Sequence, residues 1–131
     1  MIADIYLDSS ALAKLVVPEA ESDVLGQFLA RYDRHVSSAL AITEVGRAVA
    51  RRSSSDVARW LEVLDRLALI DVGRPILERA AGLAPATMRS LDAIHIASAI
   101  EVRDSLQAFV TYDERLAAAA RVHGFAVAAP A

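Results

Sequence analysis

Short apolar runs alternate along this chain with longer segments in which apolar residues recur every three or four positions. The short runs, each bounded by polar or turn residues, predict five β-strands. They cover residues 2–7, 35–37, 69–72, 108–111 and 125–128. The longer segments predict amphipathic helices. Because strands alternate with helices, we expect a parallel sheet covered by helices on both faces.

Proline and capping residues set the predicted helix boundaries. Pro18 ends a first helix over residues 10–17, and the pair Pro18-Glu19 opens a second. Ser38 is the predicted N-cap of a third helix that runs to about residue 52. Ser55 or Asp56 caps the fourth. Further helices are predicted over residues 76–83, 90–103 and 113–122.

The composition is typical of one globular domain spanning residues 1–131. Hydrophobic residues make up 55% of the chain, enough to bury a core, and cysteine is absent. Disulfides, thiolate metal sites and cysteine nucleophiles are therefore excluded. No apolar run approaches the roughly 20 residues that span a bilayer, and the opening residues lack the features of a signal peptide. We therefore expect a cytoplasmic protein that does not enter membranes.

The charged residues indicate less about function. The net charge of −3 argues against a passive nucleic-acid coat, which would be basic. Lys14 is the only lysine among 14 basic residues, so the other cations are arginines. Arginine suits bidentate recognition of phosphate, but a GC-rich genome produces the same bias. The arginine content alone decides nothing.

Four acidic residues border apolar runs. Asp8 follows the first predicted strand and Asp113 follows the fourth, so both are expected at the same edge of the sheet. Glu44 and Asp92 lie in early turns of helices, which also favour negative charge. A pocket of carboxylates repels itself unless a cation fills it, and a hard divalent cation is the natural filler.

Such a pocket suggests hydrolysis of phosphodiester bonds. One or two Mg²⁺ or Mn²⁺ ions on carboxylates lower the pKa of a bound water and neutralise charge on the phosphate. Each acid also has a structural alternative. Asp113 fits a turn or N-cap, and Glu44 can pair with Arg47. Asp92 can be an acid of the first helical turn, where the helix dipole stabilises negative charge.

Four segments of the chain resemble the PIN-domain family in its VapC form, the toxins of type II toxin–antitoxin pairs. They are YLDSSALAKL, SSALAITEVGRA, SLDAIHIASA and FVTYDERLAAAA, and the resemblance covers essentially the whole chain. It implies an α/β/α sandwich with a mostly parallel sheet of about five strands. It also implies a Mg²⁺- or Mn²⁺-dependent endoribonuclease that cleaves RNA, often tRNA or rRNA. The implied assembly is a homodimer with a VapB-type antitoxin that blocks the site.

Carried over by position, the resemblance assigns the family's acids to this chain. Asp8, Glu44 and Asp92 are implied as catalytic metal ligands. Asp113 is implied as a fourth, which binds the metal directly or through water. No acid of the pattern is missing, so the resemblance implies an active enzyme.

Neighbouring residues are candidates for supporting roles. The hydroxyls of Ser10 and Thr111 lie two positions from Asp8 and Asp113, where they can orient a carboxylate or a metal-bound water. A turn hydroxyl that caps backbone is the alternative for Ser10. His95, three positions after Asp92, is interpreted as a packed histidine rather than one that contacts RNA or an acid.

Arg47 and Arg89 are candidate RNA contacts, with ordinary solvated charges as the alternative. Trp60 and Leu64 are four positions apart, as on one face of a helix, which favours a core or interface position for Trp60 over base stacking. Exposed apolar surface on the early helices is expected to serve the antitoxin or the dimer.

Two other functions compete with a ribonuclease. A binding module would use the acids to hold a metal or a partner's arginine and would sequester RNA or protein without cutting. A phosphatase would use Asp8 as nucleophile, but such enzymes usually show D-x-D where this chain has Asp8-Ser9-Ser10.

Overall fold

A computed structural model of the chain describes residues 3–131, and within them it contains five strands and seven α-helices. The strands are β1 (Asp4–Leu7), β2 (Arg34–Ser38), β3 (Ala68–Ile70), β4 (Leu106–Val110) and β5 (Val127–Ala128). The helices are α1 (Ser9–Val16), α2 (Ser22–Leu29), α3 (Leu40–Ala50), α4 (Ser54–Leu64), α5 (Arg74–Ala81), α6 (Ser90–Glu101) and α7 (Glu114–Val122). Among the described residues, no helix has the length and hydropathy needed to cross a bilayer.

The strands form one sheet in the order β3-β2-β1-β4-β5, and every neighbouring pair is parallel. The central strand is β1, in which Tyr6 pairs with Val36 of β2 and Phe109 of β4. Because all strands run the same way, the loops that follow them meet at one edge of the sheet. The predicted parallel α/β sheet is confirmed.

Alternate residues of β1 enter different layers of the core. Ile5 and Leu7 pack in a cluster with residues of α1 to α4, among them Trp60, which is 2% exposed. Tyr6 packs instead with Phe109 and with residues of α6 and α7. Side chains of a strand alternate between faces, so these two clusters cover opposite faces of the sheet. The expected three-layer α/β/α architecture is confirmed, and Trp60 belongs to the core.

The second helix begins later than predicted. α2 starts at Ser22, whereas Pro18 and Glu19 lie in the preceding turn. The Ser22 hydroxyl accepts a hydrogen bond from Glu19 N at 2.9 Å and donates to Lys14 O at 2.7 Å. These bonds close the turn between the two helices, so the proline ends one helix without beginning the next.

Serines near two other helix starts act at different positions from those predicted. Ser38 ends β2 and its hydroxyl accepts from Leu40 N at 3.1 Å, while Ala39 is the N-cap residue of α3. The N-cap of α4 is Ser53 rather than Ser55 or Asp56, and it accepts from Asp56 N at 3.2 Å. Ser53 has the extended backbone of an N-cap residue, whereas Ser55 and Asp56 already lie within the helix.

The remaining boundaries shift by a few residues. β3 spans Ala68–Ile70 and β5 spans Val127–Ala128, both shorter than predicted. α6 ends at Glu101, and a 3₁₀ turn over Arg103–Ser105 follows it. Ile2, the first residue of the predicted opening strand, lies outside the described residues.

Candidate active site

Three of the four predicted acids line one open cavity of about 310 Å³ at the edge where the strands end. They are Glu44 from α3, Asp92 from α6 and Asp113 from the loop before α7. Arg89 lines the same cavity. Asp8 does not line it, but lies at the end of β1 with only 3% of its surface exposed. The fold therefore gathers three of the acids and buries the fourth at the same edge.

Asp8 is held by uncharged donors. Its Oδ1 accepts from Ala11 N at 2.9 Å and from the Ser10 hydroxyl at 2.7 Å. Its Oδ2 accepts from the Thr111 hydroxyl at 2.6 Å. Burial raises the pKa of Asp8, and the hydrogen bonds only partly oppose it. In the described part of the chain no cationic side chain pairs with Asp8, so its negative charge is incompletely compensated.

The Ser10 and Thr111 hydroxyls also fix the loop after β4, and Ser10 ties it to the start of α1. Ser10 Oγ accepts from Tyr112 N at 3.0 Å, and Thr111 Oγ1 accepts from Asp113 N at 3.0 Å. Each hydroxyl therefore orients the Asp8 carboxylate while it fixes the loop after β4. Ser10 combines the two roles between which the sequence left a choice.

Glu44 has two donors on a single oxygen. Its Oε1 accepts from the Ser9 hydroxyl at 2.6 Å and lies 2.8 Å from His95 Nε2. Burial disfavours the charged form, but the bonds from His95 and Ser9 outweigh it and lower the pKa of Glu44. The alternative pairing with Arg47 is not formed, and Arg47 is exposed on α3.

His95 is both packed and hydrogen-bonded to an acid. It is 3% exposed, and its Nδ1 lies 2.7 Å from the Tyr6 hydroxyl. Burial raises the pKa of Tyr6 well above its usual range, so the phenol stays protonated. The interpretation of His95 as a packed residue rather than an acid contact was therefore too narrow, since it is both.

Arg89 lies between the two remaining acids. Its Nε donates to Asp92 Oδ2 at 3.2 Å, and its Nη2 lies 3.4 Å from Asp113 Oδ2. The other oxygen of Asp113 accepts from Arg115 N and Leu116 N and so caps α7. The N-cap alternative for Asp113 is thus correct, and the same residue also faces the cavity.

The donor set suits a hard divalent cation. Carboxylate and hydroxyl oxygens are the ligands that Mg²⁺ and Mn²⁺ prefer, and a buried carboxylate such as Asp8 gains most from added positive charge. Within residues 3–131, however, no three histidine or acidic side chains are arranged to hold a metal ion. Arg89 partly neutralises two of the acids instead. The chemistry of the residues fits the ion, while Arg89 pairs with two of the acids that would hold it.

The sequence did not identify Ser9 and Tyr6 as part of the site. A weak signal exists for each. Ser9 directly follows Asp8 at the start of α1. Tyr6 lies in a buried strand, where a phenol needs a polar partner.

Known proteins resemble this chain in sequence over nearly its whole length. The model of the PIN domain matches residues 5–122. Ribonuclease VapC46 of Mycobacterium tuberculosis is 44% identical over 129 residues, covering 98% of this chain and 99% of that protein. Ribonuclease VapC47 of the same species is 40% identical over 133 residues, covering 96% of each.

Solved structures share the fold of this chain. VapC20 of Mycobacterium tuberculosis, described as a sarcin–ricin loop cleaving toxin, superposes with a TM-score of 0.71 at 19% identity, covering 96% of this chain and 99% of that one. VapBC2 of Rickettsia felis, solved with a DNA fragment from its promoter, gives 0.70 at 14% identity, covering 95% and 97%. At these identities the likeness concerns the fold alone.

Proposed function

We propose that this chain, which belongs to the PIN-domain family and within it to the VapC ribonuclease toxins, hydrolyses RNA phosphodiester bonds at the acidic cavity. The observation that carries this proposal is the grouping of Glu44, Asp92 and Asp113 around one cavity, beside a buried Asp8 without a cationic partner in the described chain. A site so rich in negative charge suits a metal-assisted reaction on phosphate.

Nucleases of this family generally depend on a divalent metal ion. We propose Mg²⁺ or Mn²⁺ here, held by Asp8, Glu44 and Asp92, with Asp113 as a direct or water-mediated ligand. When bound, the ion supplies a water of lowered pKa and neutralises charge on the phosphate. Ser10 and Thr111 orient Asp8, because their hydroxyls donate to its carboxylate.

Two arginines are suited to bind the RNA backbone. Arg89 is 53% exposed, and within the described part of the chain its ion pairs are with the two acids of the cavity, so a phosphate can take their place. Arg47 lies three positions after Glu44 on α3 and is exposed near the same helix face. Guanidinium groups bind phosphate in a bidentate manner, which suits both residues to hold the strand beside the acids.

The proposed partners are a VapB-type antitoxin, a second copy of the chain and an RNA substrate such as tRNA or rRNA. Several large apolar side chains remain exposed on the early helices, namely Val24 at 40%, Ile42 at 45% and Leu61 at 54%. Such side chains favour protein contacts over solvent. A cytoplasmic location follows from an RNA substrate and is part of the same proposal.

Cleavage of RNA by the purified chain tests the proposal. The chain is incubated with total RNA in Mg²⁺ or Mn²⁺, and the new RNA ends are sequenced. We expect cleavage that EDTA abolishes and that Asp92→Asn nearly eliminates. Asp71→Asn is the matched control, because Asp71 also follows a strand at this edge but is exposed and does not line the acidic cavity.

Two outcomes would contradict the proposal. Cleavage by Asp92→Asn at the wild-type rate would show that the acidic cavity is not the site. RNA that the wild-type chain binds but leaves intact with each metal would favour the binding module instead.

A further inference from the structure

A buried chain of hydrogen bonds leads from the middle of the sheet to Glu44. Tyr6 is fully buried in β1, and its hydroxyl lies 2.7 Å from His95 Nδ1. The opposite nitrogen of the same ring lies 2.8 Å from Glu44 Oε1. The phenol is itself fixed, because it stacks on Phe109 with ring centroids 4.8 Å apart. The imidazole therefore spans the distance between a rigid strand and an acid of the candidate site.

The partners of His95 determine its proton positions. The ionised Glu44 carboxylate can only accept, so His95 Nε2 must carry the hydrogen that faces it. Nδ1 then accepts from the Tyr6 hydroxyl, which is a donor. One tautomer, with its hydrogen on Nε2, satisfies both contacts at once. The network thus fixes the ring orientation as well as its position.

Two donors converge on the same oxygen of Glu44. Oε1 accepts from Ser9 and from His95, whereas Oε2 has no hydrogen-bond donor among residues 3–131. The Glu44 side chain is 25% exposed and lines the acidic cavity. A carboxylate held through one oxygen keeps the other available at a set angle for a ligand.

We propose that Tyr6, His95 and Ser9 are positioning residues for Glu44, which hold Oε1 so that Oε2 is presented to a divalent cation in the cavity. This inference rests on the proposed function. Both ring nitrogens of His95 are used on side chains, and one of those side chains belongs to the site. Residues that support metal ligands in this way typically contribute about 10- to 100-fold in metal affinity or activity.

Binding of Mn²⁺ without RNA is the main readout. His95→Leu removes the donor to Glu44, His95→Gln can restore one, Tyr6→Phe removes the bond to Nδ1 but keeps the ring stack, and Ser9→Ala removes the second donor. His35→Gln is the matched control, because His35 is a half-buried histidine that bonds to Leu29 O away from the site. Titration calorimetry gives the Mn²⁺ affinity, circular dichroism confirms folding, and RNA cleavage gives kcat and KM.

We expect His95→Leu to lower the Mn²⁺ affinity and kcat by about 10- to 100-fold with little change in KM for RNA. His95→Gln should recover much of the loss, since its amide can donate to Oε1. Tyr6→Phe and Ser9→Ala should give smaller losses in the same direction. The control variant should match the wild-type protein in every measurement.

Wild-type Mn²⁺ affinity in a folded His95→Leu protein would overturn the inference. If that variant does not fold, Tyr6→Phe and Ser9→Ala decide, and unchanged affinity in both overturns it equally. A wild-type chain that binds no Mn²⁺ and cleaves no RNA would instead show failure of the proposed function, which is visible before any variant is compared.

Discussion

The central strand β1 has a buried aspartate at each end, and the two differ in what compensates their charge. Asp4 is the first residue of the strand and is fully buried. Arg34 donates to it from Nε at 2.9 Å and from Nη2 at 2.7 Å, and Ser105 adds a hydroxyl bond at 2.6 Å. Asp8 directly follows the strand, and its donors are two hydroxyls and one backbone N–H.

The pKa values of the two carboxyls move in opposite directions. Hydrogen bonds from Arg34 outweigh the effect of burial and lower the pKa of Asp4. Burial dominates at Asp8 and raises its pKa. A buried acid that already has a cation serves the fold, whereas one without a cation is destabilised in its charged form and stands to gain from a metal ion.

The largest expected effect on stability comes from removing Arg34, the cation that pairs with Asp4. Arg34→Met leaves a fully buried carboxylate whose remaining side-chain partner, among residues 3–131, is Ser105. We expect the free energy of unfolding to fall by clearly more than in an exposed control, because the buried carboxylate loses its cation, although the Arg34 side chain is itself 50% exposed. Urea denaturation measures this, and Arg59→Met, which alters an exposed arginine on α4, should change it by less than about 0.5 kcal/mol.

A second substitution tests the cause of that loss. In the Arg34→Met background, Asp4→Asn should recover part of the stability, because it removes the unpaired charge. If Arg34→Met alone were neutral, Asp4 would not depend on its cation and the contrast with Asp8 would lose its basis.

The corresponding substitution at the other end of the strand, Asp8→Asn, should affect function. Loss of a group that supports a metal ligand lowers metal affinity or activity by about 10- to 100-fold. Loss of the ligand itself in Asp8→Asn is therefore expected to lower the rate of RNA cleavage by at least about 100-fold. Mn²⁺ should raise the melting temperature of the wild-type chain but not of this variant. Asp4→Asn is the matched control, and its folded fraction should cleave normally. Equal losses in both variants would contradict the assignment of different roles.

The pH dependence of stability should separate the two acids without any RNA. Because the pKa of Asp8 is raised from its ordinary 3.8, the stability it contributes is present below that value and is lost as pH rises through its folded pKa. For Asp4 the sign reverses, since its pKa is lowered. Its contribution is present above 3.8 and is lost as pH falls through its folded pKa.

Unfolding in EDTA across a pH series measures both effects. The stability of Asp8→Asn relative to wild type should increase as pH rises above about 4. The stability of Asp4→Asn relative to wild type should increase only as pH falls below about 4. Parallel curves for the two variants would show that their environments are alike.

The positions of the acids at the edge of the sheet were predictable, whereas their partners were not. Asp8 and Asp113 follow apolar runs, and strand direction alone places both at one edge. In the sequence Asp4 lies within the first apolar run and Asp8 at its end, and neither position indicates what pairs with the acid. What separates them is register, since Asp4 lies opposite Arg34 across the pair of β1 and β2. Spacing along the chain carries no information on that alignment.

The support of Glu44 shows the same limit. Tyr6 and His95 are 89 positions apart in the chain and meet only because α6 packs on the face of β1 that carries Tyr6. Periodicity predicts that each is buried, which is correct. It does not indicate that a buried phenol and a buried imidazole share a hydrogen bond, because that depends on how the helix sits on the sheet.

The smallest expected effect concerns Arg89, which, like Arg34, pairs with a buried acid. Both side chains are about half exposed, Arg34 at 50% and Arg89 at 53%. Arg34 makes two short bonds to one fully buried carboxylate, whereas Arg89 makes longer contacts, at 3.2 and 3.4 Å, to two separate acids. Long contacts of a half-exposed guanidinium contribute about 0–1 kcal/mol. Arg89→Gln should therefore leave the free energy of unfolding almost unchanged, unlike Arg34→Met.

The same variant should bind metal more tightly, because Arg89 and a divalent cation compensate the same acids. An ion pair of at most about 1 kcal/mol limits the gain in Mn²⁺ affinity to roughly five-fold. Calorimetric titration without RNA measures that gain, and binding of uncleaved RNA in EDTA should weaken if Arg89 also contacts phosphate. Arg79→Gln is a suitable control, since Arg79 pairs with Glu101 on the surface at 3.0 Å, away from the cavity. A lower Mn²⁺ affinity in Arg89→Gln would mean that the arginine organises the acids for the ion rather than competing with it, and the contrast between Arg34 and Arg89 would then be one of strength alone.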